Sequence, residues 1–444
     1  MRKTFSFILF LLVTVPALGQ WQSVSSPIPT SIPLYLTKIQ AVDTQRAWFS
    51  NSTYANSWLT VPFQISRTID GGQTWQNVGP PFPLNAVYTS GVLEAALDAQ
   101  NAWAVMHRVD AGGGNPTLQL HYTADGGATW SLRAMPTVTQ RLGMLHFFNL
   151  SEGVVLDQRS GALYRTTDGG VSWQLQNTAP TLTTNQSLDG MREAGGILWT
   201  TVYGVQAQPV AFWASTDRGL TWRSQTLPGA SGAVVFRDTQ NALLPTTQGG
   251  MLSTNDGGVT WQNATAPPFR LGPLTAIPGT RTYVAGAEHW IGIPGAKGSA
   301  VTYDDGQTWI ILESANSYQS IEFSTSNAGW SVLASFAPPT VNHEYEGISR
   351  YVGSPLATRN TSATSVTADV FPNPSTSGIF TVRLPAAAGP ISAVRVLDAV
   401  GRAVYQVASL PANQHLDLSQ QPKGVYSLEV QTGTGVVRRK LLIE

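Results

Sequence analysis

The chain alternates short apolar runs with polar turns along most of its length. Runs such as RAWFS, NAWAV, EGVVL, NALLP and AGWSV recur, and each follows a further apolar strand and a polar turn. Apolar runs of about four to eight residues bounded by turn residues are typical of β-strands. The pattern predicts an all-β fold built from many short strands.

One motif, Ser/Thr-x-Asp-x-Gly-x-Thr/Ser-Trp, occurs six times, as TIDGGQTW, TADGGATW, TTDGGVSW, STDRGLTW, TNDGGVTW and TYDDGQTW. In such a turn the Asp accepts backbone N–H groups, the Gly takes a positive φ, and the Trp buries a large ring. We therefore interpret the motif residues as structural: Asp70, Trp75, Asp125, Trp130, Asp168, Trp173, Asp217, Trp222, Asp256, Trp261, Asp304 and Trp309.

The spacing of these motifs predicts a β-propeller. Successive motif tryptophans are 55, 43, 49, 39 and 48 residues apart, close to the period of about 40 to 50 residues of four-stranded blades. Six blades are expected to start near residues 33, 88, 141, 188, 231 and 272. Residues 319–352 supply three strands of a seventh blade, and pairing Trp21–Val24 with them would close a seven-bladed ring and remove its exposed edges.

The remainder of the chain predicts a second domain behind a linker. Residues 353–369 are rich in Ser and Thr without apolar periodicity, which is typical of a linker. Residues 370–444 alternate short strands and predict a small Ig-like β-sandwich. The propeller is thus expected over residues 20–352.

The N-terminus indicates export, and the composition excludes or disfavours several classes of partner and chemistry. Residues 1–19 carry Arg2 and Lys3, an apolar run and small residues before Gln20, as a secretory signal peptide does. Lys plus Arg equals Asp plus Glu at 26 each, which disfavours nucleic acid and anionic membranes as partners. Cysteine is absent, so disulfides and thiol chemistry are excluded. We expect a monomer without cofactor, metal or membrane-spanning segment.

Both regions resemble known families. The six motifs resemble the Asp-box, or BNR, repeat of sialidases, sortilin-type receptors, xyloglucan hydrolases and a photosystem assembly factor. The C-terminal region resembles the type A sorting domain of the Bacteroidetes type IX secretion system, through Pro372, Asn373, Pro374, Gly401, Arg402, Gly424 and Lys440. This resemblance implies the type IX machinery as a partner, and a protein secreted from, or displayed on, a Gram-negative cell. An ordinary Ig-like module is the alternative.

The resemblance leaves catalysis open. A sialidase needs three arginines, yet the Arg-Ile-Pro element is absent and SIPLYLTKIQ stands in the first blade. Xyloglucan hydrolases pair two Asp residues between two propellers, and one propeller is expected here. The segment VNHEYEG, with His343, Glu344 and Tyr345, is either a metal or nucleophile site or a polar loop tip in solvent.

Loop lengths suggest where a ligand binds. The loops between second and third strands are long in blades 6, 7, 1 and 2, which are consecutive around a closed ring. Either they are tolerated insertions or they form a recognition face. The candidate ligand-binding residues are Tyr54, Trp58, Arg108, Asp110, Trp290, His343, Glu344 and Tyr345. The expected function is non-catalytic binding of protein or polysaccharide; the alternative is a sialidase-like or related glycoside hydrolase.

Overall fold

The computed structural model describes residues 20–30, 32–34, 36–52, 63–80, 86–110, 117–136, 145–176, 178–247, 249–288, 295–336, 343–354, 356, 368–384, 391–398, 403–409, 415–432 and 435–444. The chain divides into two compact units, Met1–Thr358 and Arg359–Glu444. The division falls inside the expected linker. The expected signal peptide, residues 1–19, lies outside the described residues.

Strands account for nearly all regular structure in the first unit. Its strands are β1 (Trp21–Ser23), β2 (Ile32–Leu34), β3 (Leu36–Ala41), β4 (Ala47–Ser52), β5 (Gln64–Thr68), β6 (Gln76–Asn77), β7 (Ala86–Ala96), β8 (Ala102–Asp110), β9 (Thr117–Thr123), β10 (Ser131–Arg133), β11 (Leu145–Phe147), β12 (Gly153–Leu156), β13 (Leu163–Thr166), β14 (Gln174–Gln176), β15 (Ser187–Leu188), β16 (Arg192–Ala194), β17 (Ile197–Tyr203), β18 (Pro209–Ser215), β19 (Arg223–Thr226), β20 (Val235–Phe236), β21 (Ala242–Pro245), β22 (Met251–Thr254), β23 (Gln262–Ala264), β24 (Leu271–Ala276), β25 (Tyr283–Ala287), β26 (Ser299–Thr302), β27 (Ile310–Glu313), β28 (Tyr318–Thr325), β29 (Ala328–Phe336) and β30 (His343–Tyr351). A 3₁₀ turn spans Val205–Ala207. No helix among the described residues is long and apolar enough to cross a membrane.

These strands form, within the described residues, seven antiparallel sheets. Sheets 1 to 6 begin with β3, β7, β11, β15, β20 and β24, and each is built from strands consecutive in the chain. Sheet 7 combines β28, β29 and β30 with β1 and β2 from the N-terminus. The first strands of most successive sheets lie side by side. An all-β fold of four- and five-stranded sheets is therefore confirmed.

Neighbouring sheets are joined by apolar clusters and by hydrogen bonds to the turn between first and second strands. Between sheets 1 and 2, Trp48 Nε1 donates to the Asp98 carbonyl at 2.9 Å. The Arg67 guanidinium donates to the next carbonyl, Ala99, at 2.8 Å. Trp48 is fully buried, so its N–H needs this partner.

The contact between sheets 7 and 1 repeats this arrangement. Trp330 Nε1 donates to the Asp43 carbonyl at 2.8 Å, and the Arg350 guanidinium donates to the Thr44 carbonyl at 3.1 Å. Trp330 occupies the second strand of sheet 7 and Arg350 the third, as Trp48 and Arg67 do in sheet 1. Sheet 7 therefore packs on sheet 1 as sheet 1 packs on sheet 2.

The Gly two residues after the motif Asp lies against the preceding strand or sheet in each motif. A Cβ placed on Gly127, where φ is +87°, would lie 2.5 Å from the Val78 carbonyl oxygen and 2.6 Å from the Val78 Cβ. The adjacent Trp130 donates its indole N–H to that same carbonyl at 2.6 Å. Val78 directly follows β6, the fourth strand of sheet 1. The motif of sheet 2 is thus fitted to the end of that strand.

The N-terminal segment makes the equivalent contacts with sheet 1. A Cβ on Gly72 would lie 2.7 Å from the Val24 Cβ, and Trp75 Nε1 donates to the Ser25 carbonyl at 2.9 Å. Val24 and Ser25 follow β1, which pairs with β30 through Trp21 and Tyr351. The N-terminal strand therefore holds, in sheet 7, the place that β6 holds in sheet 1.

Aromatic packing holds β1 in place. Trp21 is only 7% exposed. Its ring centre lies 5.8 Å from those of Tyr318 and Phe323 and 5.5 Å from that of Tyr351. Its indole N–H donates to Ser299 Oγ of sheet 6 at 3.1 Å. Trp21 thus connects three strands of sheet 7 with the neighbouring sheet.

The second unit contains two sheets on one apolar core. Its strands are β31 (Asp369–Phe371), β32 (Ile379–Arg383), β33 (Ile391–Leu397), β34 (Ala403–Val407), β35 (His415–Asp417), β36 (Gly424–Thr432) and β37 (Gly435–Ile443). The sheet β31–β32–β35 and the sheet β34–β33–β36–β37 share buried residues such as Phe380 and Leu428. Asn373 ties the start of the unit to its last strand: its amide donates to the Lys440 carbonyl at 2.7 Å and its Oδ1 accepts the Leu442 N–H at 2.9 Å.

Replacing Gly127 by Ala should destabilise the first unit strongly. The new Cβ would meet strain at positive φ, about 1–2 kcal/mol, and a backbone clash that adds about 1–3 kcal/mol. Gly229→Ala is the matched control, because φ there is +55° and no atom lies within 4 Å of the placed Cβ. Urea unfolding should show a larger loss for Gly127→Ala; equal losses in the two variants would contradict the close approach to Val78.

Candidate functional site

The six Asp carboxylates of the repeated motif are fully engaged in their own turns. In each copy the Thr or Ser two residues before the Asp donates its hydroxyl to Oδ1, at 2.7–2.9 Å. The Thr or Ser four residues after the Asp donates its amide to Oδ1 at 2.9–3.0 Å and its hydroxyl to Oδ2 at 2.5–2.6 Å. Both oxygens of each carboxylate therefore have partners.

These hydrogen bonds also hold the carboxylates ionised. At Asp70, Asp125, Asp168 and Asp256 the hydroxyl and then the amide of the residue four positions on lower the carboxyl pKa to about 2. A general acid needs a raised pKa, and a nucleophile needs a free oxygen. The motif turns are structural elements and do not have the chemistry of a catalytic pair.

The motif turns and the turns between first and second strands lie at the same end of each sheet. Gly71 N donates to the Gln45 carbonyl at 2.8 Å, and Gly126 N donates to the Gln100 carbonyl at 2.9 Å. The connections between second and third strands therefore emerge at the opposite end. We call this end the distal side.

Sheets 2 and 7 reach further on the distal side than sheet 3 does. Strands β8 and β29 are 9 residues long, whereas the equivalent strand β12 has 4. Five additional residues at about 3.3 Å each extend a strand by roughly 16 Å. Because sheet 1 packs between sheets 7 and 2, these long strands stand on both sides of it.

The structure describes some of the predicted ligand-binding residues and not others. Tyr54, Trp58 and Trp290 lie outside the described residues. Arg108 and Asp110 were expected in a loop, but their backbones belong to β8 and pair with β7. His343 likewise belongs to β30, not to a loop. The sequence missed these strand extensions because polar and glycine residues surround them.

The expectation that VNHEYEG forms a solvent-exposed tip or a reactive pair is wrong for Tyr345. The Tyr345 ring is fully buried, lies 6.0 Å from the Phe49 ring, and its hydroxyl is 2.7 Å from Ser26 Oγ. Neighbouring strand residues point to opposite faces, so Tyr345 and Glu344 do not converge as a nucleophile pair. Glu344 remains partly exposed. Tyr345 is a core residue.

A polar cluster lies instead on the first strands of sheets 7, 1 and 2. Lys38 Nζ donates to the Glu94 carbonyl at 2.8 Å, and Gln40 Nε2 donates to the same oxygen at 3.1 Å. Thr37 Oγ1 donates to Gln319 Oε1 across sheets 1 and 7. We call the set Lys38, Gln40, Ser320 and Glu322, with the Glu94 carbonyl, the first-strand cluster.

Glu322 is the perturbed group of this cluster. Burial raises its pKa from 4.5 to about 7, and the positive charge of Lys38 opposes that rise. A carboxyl group with such a pKa exchanges its proton near neutrality, which is unusual outside functional sites. The cluster therefore combines a titrating carboxyl, an ammonium and neutral polar groups between three sheets.

Two buried atoms of the first-strand cluster have no hydrogen-bond partner among the described residues. They are Gln40 Oε1 and Ser320 Oγ. Buried polar atoms are paired in nearly all native structures, so each exception calls for an explanation. Both belong to first strands of adjacent, contacting sheets, β3 and β28.

Sequence reasoning missed the first-strand cluster. The segments LTKIQA and YQSIEFST alternate polar and apolar residues, and period two alone does not separate a face turned to solvent from one turned to neighbouring first strands. The available signal was a charged residue, Lys38 or Glu322, beside the buried Ile39 or Ile321 in the strand nearest the other sheets.

The arginines of the first unit serve contacts within and between sheets. Arg67, Arg223 and Arg350 bind the carbonyls of Ala99, Gly257 and Thr44, Arg165 and Arg218 bind Glu152, and Arg237 and Arg281 bind Asp305. An arginine held by a carboxylate or a turn is not free to gather on a substrate. These seven do not form the three-arginine site of a sialidase. In the described part of the chain no group of three His, Asp or Glu side chains is placed for a metal.

Stability should depend on pH through Glu322. The folded state retains the Glu322 proton up to about pH 7, whereas the unfolded chain releases it near 4.5. The resulting stabilisation is complete below pH 4.5 and is lost as pH rises through 7, by about 1–3 kcal/mol. Urea unfolding of the wild type and Glu322→Gln between pH 4.5 and 8 should show a difference that changes across this window. A constant difference would contradict the raised pKa.

Comparison with known families identifies two segments of the chain. Residues 369–444 match the family described as secretion system C-terminal sorting domain. Residues 128–268 match the family described as photosynthesis system II assembly factor YCF48.

Solved structures resemble the first unit in fold. YCF48 bound to D1 peptide is 16% identical, with a TM-score of 0.50 over 76% of this chain and 96% of that one. YCF48 from Cyanidioschyzon merolae is 14% identical, with a TM-score of 0.50 over 74% of this chain and 98% of that one.

A curated relative also matches part of the chain. The xyloglucanase Xgh74A of Acetivibrio thermocellus is 23% identical over 272 residues, which cover 50% of this chain and 31% of that protein. The chain thus spans about a third of the length of this relative. Together with the sheets and motif turns described above, these matches establish that the chain is an Asp-box (BNR) repeat protein of the propeller type that ends in a type IX secretion system C-terminal sorting domain.

Proposed function

We propose that this protein is an exported propeller that binds a polysaccharide or a protein on the distal side without chemically changing it. Residues 1–19 serve as signal peptide, residues 20–352 as the binding propeller, and residues 370–444, behind the linker 353–369, as the domain that the type IX machinery recognises. The mature protein is secreted or displayed on the cell surface.

The propeller in this proposal is a seven-bladed ring closed by the N-terminal strand. Support comes from the equivalent contacts that sheet 1 makes with its two neighbours, sheets 7 and 2. Trp330 and Arg350 of sheet 7 bind sheet 1 as Trp48 and Arg67 of sheet 1 bind sheet 2. Pairing of β1 with β30 covers an edge that would otherwise be open to other chains.

The observation that carries the binding function is the uneven distal side. The long strands of sheets 2 and 7 stand on both sides of sheet 1, and the first-strand cluster lies between the same three sheets. A surface on which neighbouring sheets reach to different heights suits a ligand better than a flat rim does. Tyr54, Trp58, Arg108, Asp110, Trp290, His343 and Glu344 are proposed to contact the ligand there.

Binding is favoured over catalysis by the use already made of the charged residues. The six motif carboxylates are engaged in turns, and the seven arginines named above in contacts of the sheets. Within the described ranges, Glu322 is a candidate for acid catalysis, because its pKa of about 7 suits a glycosidase general acid. With the partial match to a xyloglucanase, this makes a glycoside hydrolase the second candidate function.

Ring closure predicts that Trp21 is needed for stability. Trp21→Ala removes a buried ring from three aromatic neighbours, and we expect a loss on the order of 3–5 kcal/mol in urea unfolding. Leu132→Ala is the control, since Leu132 lies in the fourth strand of sheet 2 and is 61% exposed. A loss as small as that of the control would argue that β1 is dispensable to the propeller.

The binding function predicts a specific ligand loss. The full chain should bind a polysaccharide, tested first with xyloglucan and a glycan array. Trp58→Ala or Trp290→Ala should weaken binding at least about tenfold, because a Trp ring offers a large area for stacking on a sugar. Val171→Ser, on a motif turn, is the control.

Hydrolysis products from any glycan would favour the glycoside hydrolase. Unchanged binding by both Trp variants would remove these residues from the site. If the wild type bound none of the glycans, a protein would remain as the proposed ligand.

A further inference from the structure

We infer that a protein of the type IX machinery docks on one particular surface of the second unit, with Phe371 and Ile379 as its central contacts. The surface is the side of the sheet β31–β32–β35 that is turned away from the core, and we call it the outer face. This inference rests on the proposed function, in which the machinery recognises residues 370–444, and it names the surface that is recognised.

Strand register places the side chains of the outer face. Phe380, Val382 and Leu416 are buried in the core of the unit, and strand residues alternate between the two sides of a sheet. Their neighbours along β31, β32 and β35 therefore point outward together, and directly paired residues share a side. The outer face includes Asp369, Phe371, Ile379, Thr381, Arg383 and Asp417.

The outer face carries two large apolar side chains at its centre. Phe371 is 42% exposed and Ile379 is 39% exposed. Phe371 pairs with Thr381, two residues from Ile379, so the two are diagonal neighbours about 7–8 Å apart and form one patch. On the other diagonal, Arg383 Cζ lies 5.0 Å from the Phe371 ring centre. Aromatic and arginine side chains of this kind supply most of the binding energy in protein interfaces.

The other sheet of the unit presents a different surface. Its outward side chains include Arg395, which pairs with Glu429, and Lys440, which pairs with Ser427. Arg395 and Lys440 are exposed. Oppositely charged residues paired across strands are typical of a sheet face in contact with water. The patch of Phe371 therefore has the composition of an interface centre, and the charged sheet has that of a solvated surface.

The charges around the patch favour a protein as the occupant. Asp369 pairs with Arg383, and Asp417 pairs with Ile379, so an exposed carboxylate stands on each side of the patch. Two carboxylates disfavour contact with anionic lipid headgroups. A protein with an apolar pocket for the Phe371 ring and the Ile379 side chain, bordered by N–H donors or basic groups for the carboxylates, satisfies both features.

Ile379→Ser and Phe371→Ser test the patch in the full chain. Each should lower the exported fraction of the protein at least about fivefold, as the loss of a central interface contact does. Val425→Ser is the matched control, because Val425 is a β-branched aliphatic residue of the other sheet and is 44% exposed. Phe371→Tyr keeps the aromatic ring and should keep export.

The measurement is the amount of protein in the medium and on the surface of a host cell that has the type IX machinery, compared with the amount inside. A chain that ends at Thr358, the last residue of the first unit, is the reference for loss of the tail. Thermal unfolding of the purified full-length variants checks their fold. We expect the two Ser variants to be folded and retained in the cell, and Val425→Ser and Phe371→Tyr to be exported.

Export of Ile379→Ser and Phe371→Ser at the wild-type level would overturn the inference, while retention of the chain ending at Thr358 would leave the proposed function standing. An equal loss of export in Val425→Ser would overturn it as well, because the effect would not depend on the outer face. Retention that accompanies unfolding of both Ser variants would show a structural role and count against it too. Export of the chain ending at Thr358 would overturn both the inference and the proposed role of the tail.

Discussion

The pairing of the N-terminal strand with the last long strand of the first unit is the contact on which the rest of that unit depends. Through it, Trp21 packs with Tyr318, Phe323 and Tyr351, which come from the opposite end of the first unit. Without β1 and β2, β30 would present a nine-residue edge of unpaired N–H and C=O groups. A chain without cysteine has no covalent alternative, so strand pairing and aromatic burial must supply the constraint.

The repeated motif fixes each sheet against the preceding one at the same end. Each Asp closes its turn through three or more hydrogen bonds. In sheet 2, Trp130 and Gly127 of the motif then fit the end of the preceding fourth strand. The carboxylates have a low pKa because the hydrogen bonds of the turn stabilise their charged form. Six similar acidic residues are therefore a sign of repeated structure, and the function must be sought in residues that do not repeat.

Local motifs made much of this fold predictable from the sequence. The motif turns have their hydrogen-bond partners within a few residues, so their structure depends on local sequence. The sorting domain was predicted from residues such as Asn373 and Gly424, and the family match confirms it. The prediction for Tyr345 in VNHEYEG was wrong because the burial of this residue depends on Phe49 and Ser26, about 300 residues earlier in the chain. The first-strand cluster was missed for the same physical reason: Lys38 and Glu322 become neighbours only when sheets 7 and 1 meet.

Repeated contacts and unequal strand lengths are thus divided between the two ends of the sheets. At the motif end, hydrogen bonds repeat from sheet to sheet, and Arg67 and Arg350 bind equivalent carbonyls. At the distal end the sheets differ, with nine-residue strands in sheets 2 and 7 and four-residue strands in sheet 3. A repeated frame tolerates such differences because each sheet is fixed at its other end.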